Sequence, residues 1–234
     1  MRQTKRLYKA VSVVEQPGGF VVFLDLRQAK TPAGAPLCLP NRALAQGIAD
    51  EWDAQGEQVD HASMPLFRLV VSAVDRIGED RPGIVDKIAA YAGSDLLCYW
   101  ADGPAELTKR QAAIWQPVLD WVAETYNACF TVTSGVIPVE QPPESVRRIR
   151  EAIEELDDFS LAALSSATAT CGSVLLGLAL VAGRIAPDQA SEAAQLDERF
   201  QAEKWGDDPE AAERRQALDA EILAVRRFVD LLGD

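Results

Sequence analysis

The sequence predicts an α+β protein: an N-terminal antiparallel β-rich domain that also carries helices, followed by an all-α helical C-terminal domain. Three observations lead there. Residues 7–40 hold β-branched and aromatic runs separated by Pro/Gly turns, the apolar period becomes helical at Asn41, and beyond the proline-rich joint at 137–143 every segment has helical spacing. The expected domains are therefore 1–136 and 137–234, with helices entering the first from about residue 41.

Residues 8–14 and 20–24 read as two strands joined across Gln16-Pro17-Gly18-Gly19. Thr31-Pro32-Ala33-Gly34 marks a second turn. Residues 35–39 suit a short edge strand, because Pro36 and Pro40 bracket it. A meander or small barrel-like sheet follows. Asn41 is a good N-cap for a helix whose inner face is Leu44, Ile48 and Trp52, with Gly56 ending it. Further helices are expected over 65–77 and 82–93, the latter striped by Ile84, Ile88 and Tyr91. Another is expected over 106–127, with a break at Pro117, where the ring removes a backbone donor. Residues 128–133 are β-branched and are expected to return to the sheet.

In the C-terminal part, residues 145–156 read as a charged helix. Residues 159–183 contain no charge for twenty-five positions, long enough to span a bilayer. Six Ser/Thr residues and Gly172 and Gly177 dilute this stretch, so it reads as two packed helices, or one broken helix, buried centrally in the helical domain. Residues 187–205 are amphipathic with proline in the first turn. The last helix opens on Asp208-Pro209 and carries the stripe Leu218, Ile222, Val225, Val229 and Leu232.

Composition restricts function. A net charge of −13 argues against nucleic acid and against an anionic membrane surface; the basic cluster of Arg2, Lys5, Arg6 and Lys9 reads as a solvated terminus. Cys38, Cys98, Cys129 and Cys171 lie far apart among apolar neighbours and are expected to be reduced core fillers. The single histidine, His61, has no ligand-spaced companion for a metal and no nucleophile motif to serve. No phosphate-binding glycine loop, nucleophile elbow or zinc-protease motif is present. No cofactor and no enzyme activity are expected. Residues 1–10 are polar and lack an apolar leader core, so no membrane insertion is expected either.

The densest signal is LDERFQAEKWGDD at 196–208, with five acids, one tryptophan and one glycine in thirteen positions. Helical spacing sets Asp197 and Glu198 about 100° apart, a poor catalytic pair. A solvated acidic face competes with a more specific reading, in which carboxylates meet arginines on another protein through charge-assisted hydrogen bonds. Trp52 in EWDAQGE reads as a core anchor worth roughly 3–5 kcal/mol. Asp95 reads as the cap of a buried segment, and Trp115 and Trp121 as core.

Seven segments together resemble the ATP synthase mitochondrial F1 complex assembly factor 2 family. They are LYKAVSVVEQPGGFVVFLD, KTPAG, LPNRALAQGIADEWDAQ, MPLFRLVVSAVDR, AGSDLLCYW, RQAAIWQPVLDW and LDERFQAEKWGDD. They fall in the family's order over nearly the whole chain. The resemblance implies a chaperone that binds the unassembled α subunit of ATP synthase and prevents its aggregation until β replaces it. With that implication, the partner-binding residues are Glu198, Glu203, Trp205, Asp207, Asp197 and Gln201, while Trp52 and Asp95 are structural. The family occurs in mitochondria and α-proteobacteria, so the expected location is the bacterial cytoplasm, or the mitochondrial matrix for a trimmed eukaryotic member. Two readings compete. One is an enzyme or binding protein that uses residues 197–208 for a small cationic ligand, which requires a deep pocket holding at least two of these carboxylates. The other is a structural adaptor kept in the finished complex, which requires a large dry apolar surface. Three positions depart from the family pattern: Leu26 where glycine follows Leu24-Asp25, Phe67 where a small polar residue is usual, and Phe200 where tryptophan is common. A leucine forced into left-handed backbone costs roughly 1–2 kcal/mol.

Overall fold

The computed structural model describes residues 4–135 and 138–233. Val136 and Ile137, where the expected domain boundary falls, lie outside the described residues, as does Arg2 of the basic cluster. The chain forms two compact units. One runs to Arg81 and includes the chain from Arg227 onward; the other is Pro82–Arg226.

In the first unit, β1 (Thr4–Lys5) precedes the meander β2 (Val11–Gln16), β3 (Gly19–Leu24) and β4 (Arg27–Gln28), all antiparallel in the order β2-β3-β4. The register runs from Val11 opposite Leu24 to Gln16 opposite Gly19, so Pro17-Gly18 forms the hairpin tip. Gly19 is required there, because a Cβ would sit 2.4 Å from the Leu39 carbonyl oxygen. Residues 35–39 do not form a full strand. They make isolated bridges, Lys30 with Pro36 and Phe20 with Leu39, since the flanking prolines lack ladder donors. The strain expected at Leu26 lies one residue earlier. Asp25 takes the left-handed conformation (φ 53°), its carboxylate accepting from the Lys9 and Ala10 amides, and Leu26 stands 94% exposed. Aspartate tolerates that backbone better than leucine.

α1 (Arg42–Asp53) starts as expected: the Asn41 side chain accepts from the Leu44 amide at 2.8 Å, and Leu44, Ile48 and Trp52 are buried. The helix ends at Asp53, before Gly56. EWDAQ is a structural hub. The Glu51 carboxylate caps α2 (Pro65–Val71) by accepting from the Leu66 and Phe67 amides, both at 2.8 Å. Trp52 packs edge-on against Tyr8 and Phe67, and Gln55 Oε1 accepts from the Asp60 amide beside β5 (Gln58–Val59), which pairs with β1. After α2 the helix widens into π geometry over Ser72–Ile77.

α3 (Gly78–Ala90) leaves helical geometry at Asp80, and its buried face is Val85, Ile88 and Ala89. Ile84 is half-buried and Tyr91 exposed, so the stripe is rotated from the one expected. β6 (Tyr99–Trp100) pairs in parallel with β7 (Thr133–Ser134). Residues 128–133 therefore do not rejoin the N-terminal sheet. Between these strands, α4 (Ala105–Tyr126) runs unbroken through Pro117. Trp115, 1% exposed, donates from Nε1 to the Ala193 carbonyl at 2.9 Å, which pins this turn of α4 from outside.

α5 (Pro143–Glu154) buries Ser145, Ile149 and Ile153. α6 (Asp158–Cys171) and α7 (Val174–Val181) are the two buried helices expected, split at left-handed Gly172, with Ser173 capping α7. Gly177 lets them approach closely. Asp95, fully buried, joins this junction to the 95–98 turn. It accepts from Ser173 Oγ at 2.6 Å and from the Leu97 and Leu175 amides. Residues 187–205 form two helices rather than one, α8 (Pro187–Ala194) and α9 (Leu196–Trp205). Gln195 leaves helical geometry between them and buries its amide, donating to Ser191 Oγ and Asp219. α10 (Pro209–Gly233) completes the chain, with Ile222, Val225 and Phe228 fully buried.

Two cysteine assignments need correction. Cys98 and Cys171 are buried, but Cys38 and Cys129 are exposed, and the Cys38 thiol donates to the Gly18 carbonyl at 3.3 Å. Among the described residues, no helix is long and apolar enough to cross a membrane.

Candidate functional site

The 196–208 segment is α9 and the corner that joins it to α10. α9 buries only Leu196 and Phe200; its remaining residues are polar almost all round. Such a helix has a weak apolar face and needs other fastening. Polar pairs supply it on two sides. Toward α4, Glu203 pairs with Arg110 at 2.7 Å and Lys204 with Glu106 at 2.7 Å, while Arg110 also reaches Glu106 at 2.9 Å. Both the Arg110 guanidinium and the Lys204 ammonium lie 5.2 Å from the centre of the Phe200 ring, a cation–π arrangement. The hydrogen bond from Lys204 holds the Glu106 carboxyl below its ordinary range.

Toward α10, Arg215 pairs with Glu198 at 3.0 Å and with Asp207. The Arg215 side chain is only 11% exposed, although both partners are about half exposed. Its hydrogen bond to Asp207, then that to Glu198, raises the guanidinium pKa further. Arg199 reaches Asp219 of α10 at 3.5 Å and donates to Ser191 Oγ at 3.0 Å.

Between the two fastened sides stands the corner itself. Trp205 ends α9 and is 79% exposed, a rare state for so large an apolar residue. Gly206 follows at φ 92°, ψ 158°, a conformation essentially restricted to glycine. Asp208 then caps α10, its carboxylate accepting from the Ala211 amide at 3.2 Å.

The six candidate residues therefore share one region but not one environment. Asp197 turns inward, is half-buried and accepts from Gln111 Nε2 at 2.8 Å; burial pushes its pKa up. Glu198, Glu203 and Asp207 are exposed and are held by arginines of this chain. Gln201 and Trp205 are exposed on the outer side. Sequence reasoning missed Arg110, Lys204 and Arg215. A partial signal existed for Arg110, which lies four residues after Glu106 on one helix. Arg215 follows Asp207 by eight residues across a helix start, a spacing that announces nothing.

Two grooves of the second unit bear on small-ligand binding. One, of about 230 Å³, is lined by Ile114, Pro117, Val118, Arg184, Ile185 and Glu192 among others. The second is lined by Pro187, Asp188, Ser191, Arg199, Asp219 and Leu223. Neither contains a carboxylate from 197–208. Among the described residues, no group of three metal-ligating side chains is arranged to hold an ion.

The family model described as ATP12 chaperone protein matches residues 5–123. This chain belongs to the ATP12 chaperone family. It is thus a chaperone of ATP synthase assembly. The crystal structure of Atp12 from Paracoccus denitrificans is 38% identical and superposes with a TM-score of 0.92 over 97% of this chain and 98% of that one. A crystal structure from Agrobacterium tumefaciens, 39% identical, gives 0.93 over 98% of this chain and 87% of its own. The mitochondrial protein atp12 of Schizosaccharomyces pombe is 23% identical over 214 residues, covering 86% of this chain and 74% of the yeast protein. The family match ends at residue 123, so it includes the meander, the EWDAQ hub and most of α4 but not the α9–α10 corner.

Proposed function

We propose that this ATP12 family chaperone binds the unassembled α subunit of ATP synthase through the α9–α10 corner and holds it from aggregation until β replaces it. The observation that carries the reading is Trp205, 79% exposed at the end of a helix flanked by carboxylates. An exposed aromatic with a charged rim is the anatomy of a binding hot spot, where the ring supplies the desolvated anchor and the charges steer encounter. An α subunit without β exposes the surface β would cover, and such a patch aggregates. Reversible capture needs no nucleotide, metal or catalytic group. The proposed setting is the bacterial cytoplasm, or the mitochondrial matrix for a eukaryotic member, with the client-binding region inside the helical C-terminal domain at 137–234.

The test is light scattering of isolated α subunit with and without the chaperone. Suppression by the unmodified protein, lost in Trp205→Ala and in Glu198→Lys with unchanged circular dichroism, supports function and site together. If Trp205→Ala protects the α subunit as well as the unmodified chaperone does, the corner is not the client face. The competing reading, a small cationic ligand held by 197–208, requires a pocket there, and neither groove described above supplies one.

A further inference from the structure

We infer that Arg215 is a positioning residue for client binding: it draws Glu198 and Asp207 together and so holds the corner that presents Trp205. The inference rests on the proposed α9–α10 client site and deepens it. Glu198 lies in the first turn of α9 and Asp207 lies beyond its end, yet both carboxylates converge on the one Arg215 guanidinium. Arg215 itself lies two turns into α10, and its side chain is 11% exposed. The segment it closes contains Gly206, the one backbone unit there in glycine-only geometry. Without the clamp, nothing described on the α10 side ties residues 205–207 down; the Arg110 and Lys204 pairs hold α9 only as far as residue 204.

This assigns a different role to the two carboxylates. A carboxylate already engaged by a nearly buried arginine has little left to offer an arginine on the client. Glu198 and Asp207 then act through Arg215, and Glu198→Lys is expected to lose binding because a second cation facing Arg215 opens the corner. The groups left to touch the client are Trp205 and the outward residues beside it, such as Gln201.

Replacing Arg215 by methionine separates the two roles, because they predict opposite signs. A positioning role predicts about tenfold weaker α-subunit binding for Arg215→Met. Direct contact predicts stronger binding, since both carboxylates are released to the client. Arg215→Lys should restore binding only in part, as a point charge cannot bridge two carboxylates as a planar fork does. A second readout needs no client: hydrogen exchange of the amides at 205–208 should accelerate in Arg215→Met and stay near the unmodified rate in Trp205→Ala.

Accelerated exchange with weakened binding supports the inference. Unchanged or stronger binding in Arg215→Met, in a protein where Trp205→Ala does lose binding, overturns it and leaves the client site standing. Full binding by Trp205→Ala overturns the client site itself. Unchanged exchange in Arg215→Met overturns the clamp whatever the binding result.

Discussion

Gly177→Ala is the sharpest test of how the buried helix pair is packed. Gly177 lies on α7 where it crosses α6, and both helices are buried along most of their length. An added Cβ would lie 2.9 Å from Thr168 Oγ1, 3.1 Å from Leu164 Cδ1 and 3.2 Å from the Thr168 backbone nitrogen. The leucine methyl can turn aside, but the backbone nitrogen cannot. Overpacking of this kind costs about 1–3 kcal/mol. Alanine returns up to about 1 kcal/mol through its higher helix propensity. Because a backbone atom is involved, the net loss should be about 1–2 kcal/mol, or roughly 2–8 °C in Tm for a chain of this size. Urea unfolding followed by far-UV circular dichroism measures it. Thr168→Ala provides the control: its hydroxyl is buried without a hydrogen-bond partner and is the closest atom to the new methyl. The double variant should recover part of the loss, a coupling of at least about 0.5 kcal/mol between neighbours. A Gly177→Ala protein as stable as the unmodified one, or strict additivity with Thr168→Ala, would refute the packing argument.

Three further outcomes are expected. Gly206→Ala meets no atom within 4 Å, so its cost is backbone strain alone, about 1–3 kcal/mol, seen as faster hydrogen exchange at the corner; unaltered exchange would count against that geometry. Burial raises the Asp95 pKa from 3.8 to about 6, so its folded form holds the proton more tightly than the unfolded chain does. The stability this contributes is complete below pH 4 and is lost as pH rises through 6, by about 3 kcal/mol at most. The stability of the unmodified protein relative to Asp95→Asn should therefore fall from pH 4 to pH 7, and a constant difference would contradict it. Finally, a thiol reagent should label two cysteines in the folded chain, Cys38 and Cys129. Cys98 and Cys171, whose pKa values burial pushes up to about 12, should react only on unfolding, and rapid labelling of all four would show the core assignment to be wrong.

Local chemistry made much of this protein readable in advance. The Pro17-Gly18 hairpin, the Asn41 cap, and the Leu44, Ile48 and Trp52 face each depend on a few adjacent residues whose preferences agree. The family resemblance was likewise legible, because it lies in the order of short segments. Where reading failed, a distant contact had overruled the local rule. Pro117 removes a donor but does not break α4, whose neighbouring turn is tied to Ala193 seventy-eight residues on. Gln195 interrupts an apparently continuous helix because its amide is claimed by Ser191 and Asp219.

The acidic segment shows the same division. Its residues alone determined that 196–208 would be acidic, aromatic and helical, and that a glycine would stand at its end. Their environments were decided only when α4 and α10 closed around α9. Of two adjacent carboxylates, one turned in to Gln111 and the other met Arg215, while Trp205 was left facing outward. Charge and helix propensity are written in neighbouring residues, but which charge is neutralised depends on partners that folding brings from up to ninety-eight positions away.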